Sequence, residues 1–353
     1  MTPRPDDVHD RGRKNHWYMA AWPQEVGRSL LARTVCGEPV LLYRKRDGTA
    51  VALADRCVHR RYPLSLGRLV EDTVECGYHG FTYDCSGRCV SVPGQDRIPA
   101  GFRVRTYPLV ERDGLVWLWP GDSETADPAD IPACPWPALP SWATVRDTVH
   151  SPFRTELLLD NLMDLSHETF LHAGLIGTPE VAETPITWET DKEHGVVTVS
   201  RHMSAVTCPT VYVESTGLSS PVDRHQDIEF HAPSLLVIHA RIAPVGAAAH
   251  PDGSDPDAAH AKIIHFLTPE TATTCWDFWA ISRDFALRDD TVGDYLLKMN
   301  REVVQQDLRA LTELERVIAA EPEGVRERSI RIDAGALAAR SLLRSRTGPA
   351  ARN

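Results

Sequence analysis

The sequence predicts an α+β protein in two parts: a small all-β domain, then a larger domain that combines one antiparallel sheet with a long helix. Three observations support this. Residues 16–120 break into short β-like runs punctuated by turn residues, with no long helical pattern. Alternating apolar runs return in "GVVTVSRHM", "DIEFHAPSLLVIHARIAP" and "KIIHFLTPETATTCWDFWAISR", the period-two signature of strands. From about Thr291 to Ala320 a helical pattern runs on until "EPEG", a proline–glycine stop.

With 353 residues there is enough chain for two domains with cores of their own. Hydrophobic residues at 42% and charged residues at 25% exclude fibrous and disordered classes. A net charge of −11 excludes a nucleic-acid binder, because nothing would neutralise a phosphate backbone. The N-terminus lacks the apolar core of a signal peptide, and no run of about 18 apolar residues follows. These features predict a cytoplasmic protein with no membrane segment. Its eight cysteines then stay reduced, as ligands or buried apolar side chains.

The elements follow in order. Residues 1–15 form an N-terminal extension. The β domain, 16–120, contains "PVLLYR", "GTAVALAD", "GRCVSVPG" and "DGLVWLWPGD". Residues 121–142 form a connector in which five prolines, in "DSETADPADIPACPWPALPSW", oppose regular structure. The second domain, 143–353, opens with helical spacing in "ELLLDNLMDLSHETFL". Its strands are interrupted by "PVGAAAHPDGSDPDAAHA", a loop by composition.

Two loops of the β domain each pair one thiol with one imidazole. Cys57-x-His59 and Cys76-x-x-His79 are separated by sixteen residues. Structural zinc knuckles usually pair ligands of like kind. The mixed pairs suit a [2Fe–2S] cluster in which two cysteines hold one iron and two histidines the other. Exchanging two thiolates for neutral imidazoles removes negative charge and raises the potential. Gly77 and Gly80 flank the second loop's ligands, where backbone must crowd the inorganic sulfides. Zinc remains an alternative, and Cys85 and Cys89 are read as packing residues.

A second constellation lies in "DNLMDLSHETFLH". His167 and His172 are five residues apart, about 140° around an ideal helix, so the helix must end near Phe170 or deform. Gly174 and Gly177 permit that exit. Two imidazoles need a carboxylate to complete the facial set of a mononuclear non-haem Fe(II) site. Asp307 offers one, inside the apolar stripe Val303, Leu311, Leu314 and Ile318, where a charge is costly unless paired or metal-bound. Asp164, three residues before His167, is expected to accept a hydrogen bond from a ligand's ring N–H.

These motifs together resemble the Rieske non-haem iron oxygenases. The likeness is narrowest to the oxygenase component of vanillate O-demethylase, with the dicamba O-demethylase oxygenase a more distant relative. "CGYHG", "VSVPGQ", "DNLMDLSHETFLHAGLIG", "RHM", "PVDR", "FLTPET" and "IDAG" carry it, in the order that subfamily shows. The resemblance implies a Rieske domain followed by a catalytic domain of helix-grip type, whose curved antiparallel sheet embraces a long helix. It implies cluster ligands Cys57, His59, Cys76 and His79, and iron ligands His167, His172 and Asp307. Asn161 matches a position close to the iron that is not a firm ligand. A head-to-tail homotrimer is also implied, with one subunit's Rieske histidine meeting the next subunit's Asp164. His231 in "EFHAPS" and His265 in "IIHFLTPE" depart from the vanillate pattern; facing inward, they would bind a substrate carboxylate or phenol oxygen.

The expected activity is O-demethylation of a methoxylated aromatic acid with O2, releasing formaldehyde, as part of aromatic compound catabolism. The absence of a G-x-G-x-x-G fingerprint implies a separate NAD(P)H-dependent reductase, carrying flavin and a ferredoxin-type cluster. Ring or methyl hydroxylation and N-demethylation stay open, because they share the same metal chemistry. A pure electron carrier and a zinc protein are the readings from other classes.

Overall fold

The computed structural model describes residues 13–219, 221–248, 255, 257–322, 325 and 327–347. Most of the N-terminal extension and the middle of the loop between the predicted strands at 244 and 261 lie outside the described residues. The chain divides into two compact units, with the border between Ile131 and Pro132; residues Thr268–Thr271 belong to the first. That border falls within the proline-rich connector, where the prolines occupy short 3-10 turns such as Pro128–Asp130 and Trp136–Ala138.

Among its described residues the first unit is β apart from 3-10 turns and the helical residues Arg13 and Lys14. Its strands are β1 (Tyr18–Ala21), β2 (Leu31–Val35), β3 (Glu38–Arg44), β4 (Ala50–Ala54), β5 (Arg68–Val70), β6 (Thr73–Glu75), β7 (Thr82–Tyr83), β8 (Cys89–Ser91), β9 (Leu109–Arg112) and β10 (Leu115–Leu118). They form three sheets, ordered β1-β10-β9, β2-β3-β4 and β5-β6-β7-β8. Asp113 and Gly114, both at positive φ, turn β9 into β10, the Asp-Gly hairpin that matches strand twist. The β5–β8 sheet matters most: one ligand loop lies between β4 and β5, the other between β6 and β7.

The second unit holds a seven-stranded sheet, ordered β11-β17-β16-β15-β14-β13-β12. Its strands are β11 (Ala143–Ser151), β12 (Thr187–Asp191), β13 (Val196–Val206), β14 (Val222–His231), β15 (Leu235–Pro244), β16 (Ala259–Pro269) and β17 (Cys275–Arg283). Its helices are α1 (Thr155–Met163), α2 (Glu168–Leu171), α3 (Pro179–Glu183), α4 (Thr210–Thr216), α5 (Asp290–Ala320) and α6 (Ala334–Thr347).

Helix α5 starts at an Asp289 cap, whose side chain accepts from the Thr291 N–H, and packs against β11 and α1. Its buried face runs through Leu296, Asn300, Val303, Val304, Asp307, Leu311 and Glu315. Leu314, expected in this stripe, is exposed. It lies one residue, about 100°, away from the 307–311–315 line. Arg154, just before α1, donates to the buried Glu315 carboxylate from Nε at 2.8 Å and from NH2 at 2.6 Å. This pairing holds Glu315 below the usual carboxylate range. Helix α1, which leads into the second constellation, is thereby clamped to α5, which carries Asp307.

Candidate active site

In the first unit the two thiols and two imidazoles separate by environment. Cys57 and Cys76 are each 2% exposed, inside a core with Leu41, Leu64 and Tyr83. His59 and His79 are exposed, with ring centroids 4.6 Å apart. Phe81 stacks on His59 at 4.8 Å, and Tyr78 lies against His79. Two sulfur donors inside and two neighbouring imidazoles at the surface fit a [2Fe–2S] cluster with one iron held by the thiolates and the other by the imidazoles. The turn just after the second pair relies on Gly80, at φ +72.

Tyr83 was not singled out from sequence. Its hydroxyl oxygen accepts from the Val58 N–H at 3.2 Å, which leaves its proton for the Cys57 sulfur at 3.1 Å. Hydrogen bonds to ligating sulfur tune a cluster's potential. Cys89 packs in the core, but Cys85, expected to do the same, is exposed on the Asp84–Gly87 turn.

In the second unit, the predicted helix over 156–171 breaks at Asp164. This residue is extended (φ −126, ψ 97), and its carboxylate caps a 3-10 turn by accepting from Ser166 N and Oγ. Asp side chains compete with helical hydrogen bonding in this way. Helix α2 then ends at Leu171, and the chain doubles back so closely that a Cβ on Gly177 would meet the Glu168 carbonyl. The break removes the helical constraint on the five-residue gap, and His167 and His172 come to rest with ring centroids 5.0 Å apart.

Each of these rings engages an acceptor through Nδ1. His167 Nδ1 donates to the Asp164 carbonyl at 2.6 Å, and His172 Nδ1 to the Gln306 side-chain oxygen at 2.7 Å. Asp164 accepts from a ligand's ring N–H through its backbone carbonyl, while its carboxylate oxygens are engaged by Ser166. Both Nε2 atoms face Asp307, whose Oδ1 is 3.7 Å from His167 Nε2 and 3.2 Å from His172 Nε2. Asn161 Nδ2 donates to the same oxygen at 3.0 Å. One ligand atom from each of His167, His172 and Asp307 lies within 4.8 Å of the other two. Two lone pairs and a carboxylate this close call for a cation among them, and the donor set suits Fe(II) with open positions.

Burial alone would push the His172 ring pKa down, but Asp307 and Gln306 outweigh it and the ring is raised. Proton and metal compete for the same lone pair, so metal binding releases a proton. Gln306 was also missed from sequence. Gln306→Leu is expected to weaken iron binding by about 10- to 100-fold, the usual cost of losing a group that orients a ligand. Chelator titration measures this; an unchanged affinity would show that His172 needs no such support.

A family model described as "Vanillate O-demethylase oxygenase C-terminal domain" matches residues 153–347, and one described as "Rieske [2Fe-2S] domain" matches residues 16–108. The chain is 35% identical over 335 residues to the vanillate O-demethylase oxygenase subunit of a Pseudomonas species, covering 94% of this chain and 93% of that one. The chain belongs to the Rieske non-haem iron oxygenases. This oxygenase is also 34% identical over 329 residues to the dicamba O-demethylase oxygenase component of Stenotrophomonas maltophilia, covering 92% and 94%. A crystal structure of dicamba monooxygenase bound to dicamba superposes with a TM-score of 0.87 at 32% identity, over 95% of this chain and 97% of that one. The cofactors are accordingly a Rieske [2Fe–2S] cluster and a mononuclear non-haem iron.

In the oxygenase a cavity opens onto His167, His172 and Asp307. Ile176, Val211, Ile238, Ile263, Ile281 and Leu296 make much of its wall apolar. His265 reaches it from β16, and its Nδ1 is held by the Asp277 carboxylate at 3.0 Å. His231 does not line it, contrary to expectation. On β14 the buried residues Arg224, Gln226, Ile228 and Phe230 alternate with Asp223, His225, Asp227, Glu229 and His231. His231, five residues beyond Gln226, falls on the opposite face and is 3.2 Å from Glu229.

Arg224 and Gln226 both bond the buried Glu168 carboxylate, Arg224 NH2 at 2.9 Å and Gln226 Nε2 at 3.0 Å. Four buried polar atoms among the cavity-lining residues have no protein partner: Asn161 Oδ1, Arg224 Nε, Gln226 Oε1 and Asn300 Nδ2. Buried polar atoms are rarely left so.

Proposed function

We propose that this oxygenase O-demethylates a methoxylated aromatic acid, as part of aromatic compound catabolism. The observation that carries the reading is a mostly apolar cavity shared by the three-residue metal cluster and the His265–Asp277 pair. The relatives named for vanillate and dicamba O-demethylation support the same substrate class. When bound, the cluster relays electrons and the mononuclear iron activates dioxygen towards a methyl C–H bond.

The chain's own residues do the rest. Cys57, His59, Cys76 and His79 hold the cluster; His167, His172 and Asp307 hold the iron, with Asn161 and Asp164 supporting them. The apolar wall excludes water and packs the ring. His265, backed by Asp277, donates from Nε2 to the substrate carboxylate when doubly protonated. One oxygen atom enters the methoxy group, giving a hemiacetal that collapses to the phenol and formaldehyde. The other leaves as water with two electrons and two protons.

Those electrons come from an NAD(P)H-dependent reductase with flavin and a ferredoxin-type cluster. We further propose a head-to-tail homotrimer in which the exposed His59 and His79 of one subunit approach Asp164 of the next. Asp164 borders an open groove beside His167, which supports this arrangement. Among the described residues no helix is long and apolar enough to cross a membrane. Reduced thiols suit a cytoplasmic location.

The test supplies methoxylated aromatic acids with reductase and NAD(P)H. Formaldehyde and the matching phenol are expected in equal amounts. A ring-hydroxylated product without formaldehyde would reject the proposal.

A further inference from the structure

We infer that Met299 is an oxidation site inside the catalytic cavity, whose thioether becomes the sulfoxide when oxygen is reduced there without attack on a substrate. This goes beyond the O-demethylase reading, because it needs only the oxygen chemistry of the iron and no particular substrate. Among the described residues the methionines are Met19, Met163, Met203 and Met299. Met19, Met163 and Met203 are 0%, 1% and 3% exposed, and none of them lines the cavity. Met299, at 9%, does. It stands on α5 eight residues before Asp307, about 12 Å along the helix axis. Asn300, Val303 and Val304 of the same cavity wall lie between them.

Met299 is chemically the exception in that wall. No cysteine or tryptophan lines the cavity, and its other apolar side chains are aliphatic except Tyr212 and Phe285. A thioether sulfur accepts an oxygen atom on its lone pair, with no C–H bond to break. Dioxygen that takes two electrons and two protons without reaching a substrate leaves as hydrogen peroxide. Peroxide passes one oxygen to the sulfur and the other departs as water. The sulfur is oxidised, the O–O bond breaks, and no further reductant is used. The product places a polar S=O in the apolar cluster that Met299 shares with Val211, Ile281 and Leu296. Substrate packing should weaken until a methionine sulfoxide reductase restores the thioether.

The experiment uses the full-chain holoenzyme, reduced without air by dithionite and freed of excess reductant. 18O2 is then admitted with catalase present, either without ligand or with benzoate, which has no methoxy group, and the cycle is repeated. Peptide mass spectrometry reads 18O on each methionine, whereas oxidation by air during handling adds 16O. Met299 is expected to carry at least about 10-fold more label than Met19, Met163 or Met203. In Asp307→Ala the label on Met299 should fall to the level of those three, because catalase removes peroxide made elsewhere. Label spread evenly over the methionines, label concentrated on Tyr212 or Phe285, label on Met299 that persists in Asp307→Ala, or no label on Met299 in either arm overturns the inference. Should Asp307→Ala fail to fold, the comparison among the wild-type methionines decides alone. Formaldehyde release bears only on demethylation, so the two claims stand or fall separately.

Discussion

Asp307→Ala is expected to lose the mononuclear iron and essentially all turnover, while the cluster's visible spectrum persists. Asp307 is 8% exposed and contributes the oxygen that faces both Nε2 atoms. Without it two neutral imidazoles remain on a short segment, with the Asn161 amide as their neighbour. Amide nitrogen is no substitute for an anionic oxygen on a hard cation. The fall in turnover should exceed about 1,000-fold, well beyond the 10- to 100-fold cost of losing a mere supporting group. Elemental analysis should show one iron fewer per chain with labile sulfide unchanged. A variant that keeps its full iron and a tenth of its activity would reduce Asp307 to a structural acid.

Cys57→Ala should produce the complementary loss: no labile sulfide, no Rieske electron-spin signal, no turnover, yet mononuclear iron still bound. Cys57 is a buried member of the β4–β5 loop, in contact with the Tyr83 hydroxyl. Because ligand loops gain order when they bind metal, the first unit should also unfold at a lower denaturant concentration. Brown colour and sulfide surviving the substitution would falsify the assignment of this thiol. A colourless wild-type protein holding zinc would dismiss the cluster altogether.

Local spacing made the metal-binding residues legible in the sequence. Cys57-x-His59 and Cys76-x-x-His79 are contiguous motifs, and the five-residue gap between His167 and His172 demanded a broken helix. The place of the break was misjudged, because an Asp that caps a turn looks like any helical polar residue until its carboxylate meets Ser166. Gln306 was invisible because its partner, His172, lies 134 residues away, and nothing local marks a glutamine next to Asp307 as aimed at it. The outward face of His231 is legible in its strand. Ile228 and Phe230 set the inward register, which sends Glu229 and His231 outward; the polar Arg224 and Gln226 on the inner face obscured that alternation.

The His167–His172–Asp307 group rests on helices and the turn between them, whereas Arg224, Gln226 and His265 stand on strands. Reactivity thus rests on helices and a turn, while the cavity wall draws on strands as well as on helix residues such as Val211 and Leu296. Descendants of such a chain can trade strand side chains to acquire new aromatic diets while their oxidising machinery is inherited intact.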